Sequence, residues 1–212
     1  SMEEKIASYD EMITDNSITE LACQMFGDMF MAGKSMDGLS VELSNAYLLK
    51  AQDAYKKAYS MNSKNFAAAF NAGISYYNQF SVLDDKVAEN IRSLQSLNTN
   101  RPTPSKDPKK KLVEDAKFKA SIDSVKKLNV ALDQPILAKV DAAIEWIEKA
   151  YNDLKDKDKF TKPEKNVISR SVDFLATLYG FKRDKSRGKD QKAYDEFDAK
   201  YNFYDTLHDK YQ

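Results

Sequence analysis

A chain of 212 residues is long enough for one well-buried domain or one short solenoid, and its 42% hydrophobic and 31% charged residues are ordinary for a folded protein. The formal net charge is zero, with a small acidic surplus in the first hundred residues and a matching basic surplus in the rest, which argues against a dedicated nucleic-acid-binding protein. Only 6 Gly and 5 Pro are present, and no run alternates Val, Ile and Thr at strand length. The composition therefore predicts an all-α fold.

The first three predicted helices are separated by polar caps. A short amphipathic helix is expected over residues 3–14. The sequence Ser17-Ile-Thr-Glu20 has the form of a capping box and predicts a helix that runs to about Ala32 and ends at Gly33. Ser40 is expected to cap the next helix, over 41–61.

The middle of the chain contains more polar and charged segments. The turn at 62–65, with Asn65 as a cap, opens a helix over 64–79. Asp84-Asp85 is expected to start a helix that runs to about Leu97, and the proline-containing stretch 98–108 breaks the pattern before a long charged helix over about 109–132. Pro135 is expected to start a further helix, to about Leu154.

The last third of the chain predicts two helices. The capping box Thr161-Lys-Pro-Glu164 opens a helix that is expected to end at Gly180, after Tyr179. A basic loop over 183–189 precedes a final helix over about 190–209.

Two spacings of small and large side chains alternate along these helices. Small residues let two helix backbones approach closely, and a neighbouring ring or branched side chain fills the space beside them. The spacing in the first helix of each pair is that of Phe26-Gly27-Phe30, Ala72-Gly73-Tyr76 and Leu175-Ala176-Tyr179. The spacing in the second is that of Ala51-Tyr55-Ala58, Ala143-Ile147-Ala150 and Ala193-Phe197-Lys200.

This alternation resembles the tetratricopeptide repeat (TPR) family, in particular bacterial cell-envelope members in which one repeat is interrupted by a long charged helical segment. The resemblance implies a single TPR-like α-solenoid of about three helical hairpins. Hairpin one is expected over 17–61, hairpin two over 64–155 with an insertion at about 81–134, and hairpin three with the C-terminal cap over 162–209.

The resemblance also implies a concave binding face made by the first helix of each hairpin. By carry-over, the expected partner-binding residues are Gln24, Asp28, Met31, Phe70, Asn71, Ile74, Tyr77, Asn78, Arg170, Asp173, Phe174 and Thr177. Asn71 occupies the place where some TPR proteins hold the C-terminal carboxylate of a peptide. Met25 and Phe174 stand at the matching places in the other hairpins, so a full carboxylate clamp is not expected.

No constellation of titratable residues in the sequence indicates catalysis. His208 is the single histidine and Cys23 the single cysteine, far apart in sequence and without a surrounding motif. The basic clusters at 109–111 and 182–189 are flanked by acidic residues, which weakens them as contacts for an anionic surface. We therefore expect no enzyme activity, no cofactor and no metal site.

The predicted function is a non-enzymatic scaffold that binds a protein or peptide partner. The alternative from another class is a glycan-binding helical protein of a bacterial nutrient-uptake system, with sugars held against Trp146 or Tyr77. No apolar run reaches the length of a membrane span. The start Ser1-Met2 resembles a remnant of tag removal; if an export leader was removed with it, the periplasm or cell envelope is the expected location, and otherwise the cytoplasm.

Overall fold

The computed structural model describes residues 1–35 and 37–211, and every regular element in these ranges is an α-helix. This confirms the all-α prediction. None of the described helices is both long and apolar enough to cross a membrane. The helices are α1 (Met2–Thr14), α2 (Glu20–Gly33), α3 (Val41–Met61), α4 (Phe66–Thr99), α5 (Pro108–Leu154), α6 (Lys162–Ser186) and α7 (Gln191–Tyr211).

Most predicted caps are present because they depend on a few neighbouring residues. Ser40 Oγ accepts from Leu43 N at 3.2 Å and Asn65 Oδ1 from Ala68 N at 2.9 Å. The capping box of Thr161 and Glu164 is also formed. The predicted box at Ser17 is wrong.

The cap of α2 is Thr19, two residues beyond the predicted Ser17. Thr19 Oγ1 accepts from Ala22 N at 3.2 Å, whereas the Ser17 hydroxyl lies 3.5 Å from the Met12 carbonyl oxygen. Both residues are suitable caps in sequence. Ile18 decides between them, because its side chain is buried and this places Ser17 in the turn that leaves α1.

Three predicted helix ends are wrong, because α4, α5 and α6 continue through them. Asp84 and Asp85 are exposed inside α4, and no glycine or proline stands between Ile74 and Thr99 to end the helix there. Pro135 lies inside α5 and has no N–H to donate to the Ala131 carbonyl, one turn earlier. Both residues are exposed, so water can bind that carbonyl instead. Gly180 is buried inside α6 and provides close packing rather than a helix end.

The helices divide into two compact units. One consists of Ser1–Tyr77 together with Val140–Gln212, and the other of Asn78–Lys139. We describe each unit by itself.

The unit of Asn78–Lys139 is a pair of helical segments joined by residues 100–107. Its partly buried residues recur at alternating spacings of four and three, which is typical of a coiled-coil seam. Asn90 Nδ2 donates to Asn129 Oδ1 at 2.7 Å across this seam, and the Arg101 guanidinium lies 4.4 Å from the ring centre of Phe118. The seam positions are Leu83, Val87, Asn90, Leu94 and Leu97 on α4, and Phe118, Ile122, Val125, Asn129 and Leu132 on α5.

The other unit contains three helix pairs in which a glycine of one helix packs against a side chain of the next. A Cβ atom at Gly27 of α2 would collide with the Tyr55 ring of α3, and one at Gly73 of α4 would collide with Ile147 of α5. These are the positions that the alternating spacings predict. In the pair α6–α7 the glycine is Gly180, one turn beyond Ala176, where a Cβ atom would lie 3.3 Å from the Tyr201 ring.

Helix α1 packs against the first helix pair, α2 and α3. The Tyr9 ring meets Phe26 and Phe30 of α2 edge-on, at 5.3 and 5.6 Å between ring centres. Its hydroxyl donates to Asp53 Oδ2 of α3 at 2.7 Å. The amphipathic helix expected at the start of the chain is therefore part of the core of this unit, where Tyr9 is 1% exposed.

Candidate functional site

Helices α2 and α4 are joined by amide side chains that donate to carboxylates and an amide. Asn65 Nδ2 lies 2.7 Å from Glu20 Oε1 and 3.0 Å from Gln24 Oε1. On α2, Asp28 lies one helical turn beyond Gln24, and its Oδ1 lies 3.5 Å from Asn71 Nδ2. These contacts place the candidate Asp28 beside Asn71 and the candidate Gln24 beside Asn65.

Helices α4 and α6 are joined by aromatic contacts. The ring of Phe174 meets Tyr77 edge-on at 4.7 Å between centres and Phe70 at 6.1 Å. The Arg170 guanidinium lies 5.0 Å from the ring centre of Phe70 and 5.8 Å from that of Phe174, within the range of cation–π attraction. We call this the aromatic cluster: Phe70, Tyr77, Arg170 and Phe174.

The structure thus brings most of the candidate residues together on the neighbouring helices α2, α4 and α6. We define the α2–α4–α6 face as the candidate residues of this unit. Its exposed members are Asp28, Arg170, Asp173 and Thr177, and its half-buried members are Gln24, Met31, Asn71, Ile74, Tyr77 and Phe174.

Two of the twelve candidates stand apart. Phe70 is only 2% exposed, so its ring supports Phe174 and Arg170 from below and is not itself an accessible contact. The spacing alone did not separate it from Tyr77, which is half-buried. Asn78 is the first residue of the other unit and is not counted in the face.

Asp173 has a partner that the sequence analysis missed. His208 Nδ1 of α7 lies 2.6 Å from Asp173 Oδ1, and this hydrogen bond raises the pKa of the His208 imidazole above its ordinary value. No motif around His208 in the sequence indicated this contact. The contact joins positions 35 residues apart in sequence, and only the packing of α6 against α7 brings them together.

Asp28 and Glu20 are held by neutral donors. Tyr55 donates its hydroxyl to Asp28 Oδ1 at 2.7 Å, and burial, together with this bond, raises the pKa of Tyr55. Asn62 and Asn65 both donate to Glu20 Oε1. Neither carboxylate forms an ion pair with a lysine, arginine or histidine in the described ranges.

Two large apolar side chains next to these carboxylates are exposed and were not predicted as contacts. Leu21 is 69% and Met25 63% exposed. They lie on α2 opposite the buried Cys23, Gly27 and Phe30. Their spacing of four residues was available in the sequence, but an apolar run does not reveal which of its members a neighbouring helix covers.

Trp146, the glycan candidate, is partly covered by other side chains. Tyr59 meets it edge-on at 5.5 Å between ring centres, and Lys149 Nζ lies 4.0 Å from its ring centre.

A cleft of about 260 Å³ adjoins the α2–α4–α6 face between α6 and α7, lined by Asp173, Thr177, Tyr201 and His208 among others. The described residues contain no group of three or more His, Cys, Asp or Glu able to hold a metal ion.

Comparisons of the chain with protein-family models, curated proteins and solved structures give no match. The residues of the α2–α4–α6 face are therefore the basis on which function is inferred.

Proposed function

We propose that the unit built from Ser1–Tyr77 and Val140–Gln212 is a short TPR-like solenoid of three helical hairpins, and that it is a non-enzymatic scaffold for a protein or peptide partner. Two kinds of contact support the solenoid. Within the pairs α2–α3 and α4–α5, glycines admit the large side chains of the partner helix. Between pairs, the first helices touch in chain order, α2 with α4 and α4 with α6.

The observation that carries the proposed function is the pairing of Tyr77 with Phe174. Each ring is half-buried, so one part of it is fixed by packing while another part remains open to a partner. Arg170 is an exposed residue, and its guanidinium lies 5.8 Å from the ring centre of Phe174. Rigid aromatic side chains and arginine are the residue types that most often dominate binding energy at protein interfaces.

The amide and carboxylate groups beside this pair suit an extended partner. Asn71 and Gln24 have spare hydrogen-bonding capacity beyond their contacts with Asp28 and Asn65, since each amide carries two donors and an acceptor. A segment that lies along the face can bond to these groups while its side chains meet the aromatic cluster.

The test uses peptides of about twelve residues selected from a random display library on the wild-type protein. The selected peptides are then titrated against the wild type and against Tyr77→Ala and Phe174→Ala by fluorescence anisotropy. We expect each substitution to weaken binding about thirtyfold, because loss of a central aromatic residue typically costs about 2 kcal/mol.

The matched control is Phe203→Ala, which removes a half-exposed aromatic ring from α7 outside the aromatic cluster. It should leave the affinity within about twofold of the wild type. Far-ultraviolet circular dichroism of all variants checks that they remain helical. Equal affinity of Tyr77→Ala, Phe174→Ala and wild type would refute the proposed binding face.

A further inference from the structure

We infer that the α2–α4–α6 face takes a segment of another protein that carries lysine or arginine side chains next to large apolar ones. This rests on the proposed function and adds the chemistry of the partner. Helix α2 supplies, at and beside this face, the carboxylates of Glu20 and Asp28 and the exposed apolar side chains of Leu21 and Met25, and these four groups are the basis for the chemistry of the occupant.

Within residues 1–35 and 37–211, the carboxylates of Glu20 and Asp28 form hydrogen bonds but no ion pair with a lysine, arginine or histidine. Their hydrogen bonds come from Asn62, Asn65, Asn71 and Tyr55, which are all neutral groups. In each case these bonds reach one oxygen, Oε1 of Glu20 and Oδ1 of Asp28. Neutral donors fix the position of a carboxylate but do not cancel its charge, so a cation from a partner is attracted to both.

Leu21 and Met25 give the apolar part of the same surface. Residues 21, 25 and 28 are four and three apart, so their side chains lie on one side of α2. All three are exposed in the structure. A partner that buried Leu21 and Met25 would bring its own side chains within reach of the carboxylate of Asp28.

Charge complementarity excludes an acidic segment at this end of the face. An acidic side chain beside Glu20 and Asp28 would meet two like charges, which are destabilising at an interface. Arg170, the basic candidate on α6, lies in the aromatic cluster, against the rings of Phe70 and Phe174. We therefore expect the basic residues of the partner to lie towards α2 and its apolar or aromatic residues to extend towards Tyr77.

The experiment compares three synthetic pools of peptides of about twelve residues, each containing leucine and phenylalanine in a glycine–serine background. The pools differ only in whether they also carry lysine, glutamate or glutamine. Each is titrated by fluorescence anisotropy against the wild-type protein and against the double variant Glu20→Gln/Asp28→Asn. The amides keep an acceptor for the asparagine and tyrosine donors, so this variant should fold.

The inference predicts that the lysine pool binds best and that the double variant weakens it about tenfold, as expected for the loss of two solvent-accessible ion pairs. Raising the salt from about 50 mM to about 500 mM should weaken binding to the wild type more than to the variant. The matched control Asp158→Asn/Glu196→Gln removes two exposed carboxylates from other parts of the chain and should leave the affinity unchanged.

Other outcomes separate the inference from the proposed function. Equal or tighter binding of the glutamate or glutamine pool, lost in Tyr77→Ala, would overturn the basic partner but leave the binding face in place. Equal weakening by the control variant would show attraction to overall charge and would overturn the inference. Binding of no pool would overturn both the inference and the proposed function.

Discussion

Single tyrosines connect neighbouring helices through carboxylates at the edge of the core. The Tyr55 ring is buried while its hydroxyl reaches Asp28, and Tyr179 and Tyr204 both donate to Glu148 Oε1 at 2.8 and 2.9 Å. Burial, followed by the effect of the nearby carboxylate, raises the pKa of all three phenols. Each tyrosine thus contributes apolar packing and one directed hydrogen bond, which fixes how its helix is rotated against the next.

Glu164 gives a pH-dependent contribution to stability. Hydrogen bonds from Lys157, from the Thr161 backbone N–H and from the Thr161 hydroxyl lower its pKa from 4.5 to about 2. Because the folded-state pKa is below the unfolded one, this contribution is present above pH 4.5 and is lost as the pH falls towards about 2.

We predict that Glu164→Gln flattens the fall in stability between about pH 5 and pH 2, since the amide cannot titrate. The free energy of unfolding in urea, measured at several pH values in this range, tests this. Glu145→Gln is the control because Glu145 is an exposed carboxylate paired with Lys149 on the surface of α5. A slope in Glu164→Gln equal to that of the wild type would contradict the proposed origin.

Helix α4 packs against the side chain and the backbone of α5 at Gly73. A Cβ atom at Gly73 would meet the Ile147 side chain and would also lie 3.1 Å from the Ile147 nitrogen and 3.3 Å from the Ala143 carbonyl oxygen. A side chain can change rotamer, but two backbone atoms of a packed helix cannot move independently. The helices must therefore separate to admit even one methyl group.

Gly73→Ala is accordingly expected to destabilise the protein by about 1–3 kcal/mol, the usual cost of overpacking. Gly180→Ala is the matched control: its Cβ would meet only the Tyr201 ring, and alanine is the better helix former by roughly 0.5–1 kcal/mol. Chemical unfolding followed by circular dichroism compares the two. Equal stability of Gly73→Ala and Gly180→Ala would contradict the close packing of α4 against α5 at Gly73.

Across the whole molecule, burial is unevenly distributed between the two units. No residue from Ser81 to Pro135 is fully buried, whereas the helices over 143–151 and 168–180 contain many buried side chains. Segments with few buried apolar contacts open more readily than packed ones. The coiled-coil seam, with the Asn90–Asn129 pair at its centre, is held by half-buried side chains only.

Hydrogen exchange measured by mass spectrometry should show this difference. We expect backbone amides in 84–97 and 112–130 to exchange at least about tenfold faster than those in 143–151 and 168–180, because their opening exposes less apolar surface. Both sets are helical, so secondary structure is matched in the comparison. Equal protection in the two sets would show that the seam is as stable as the packed helix pairs.

The sequence by itself determined the features that depend on neighbouring residues. The caps at Ser40, Asn65 and Thr161 and the all-α character follow from side chains within one turn of each other. The spacing of Gly27 and Gly73 likewise indicated where helices approach closely. The wrongly predicted helix ends at Asp84, Pro135 and Gly180 show the limit of such local patterns. A capping residue, a proline or a glycine does not reveal whether tertiary packing continues the helix.

Only the tertiary structure decided which side chains meet and which remain accessible. It buried Phe70, left Leu21 and Met25 exposed, and paired Asp173 with His208. These outcomes depend on the rotation of α2, α4, α6 and α7 about their own axes, which residues far apart in sequence fix jointly. A periodic pattern gives the face that a helix buries but not the neighbour that covers each position.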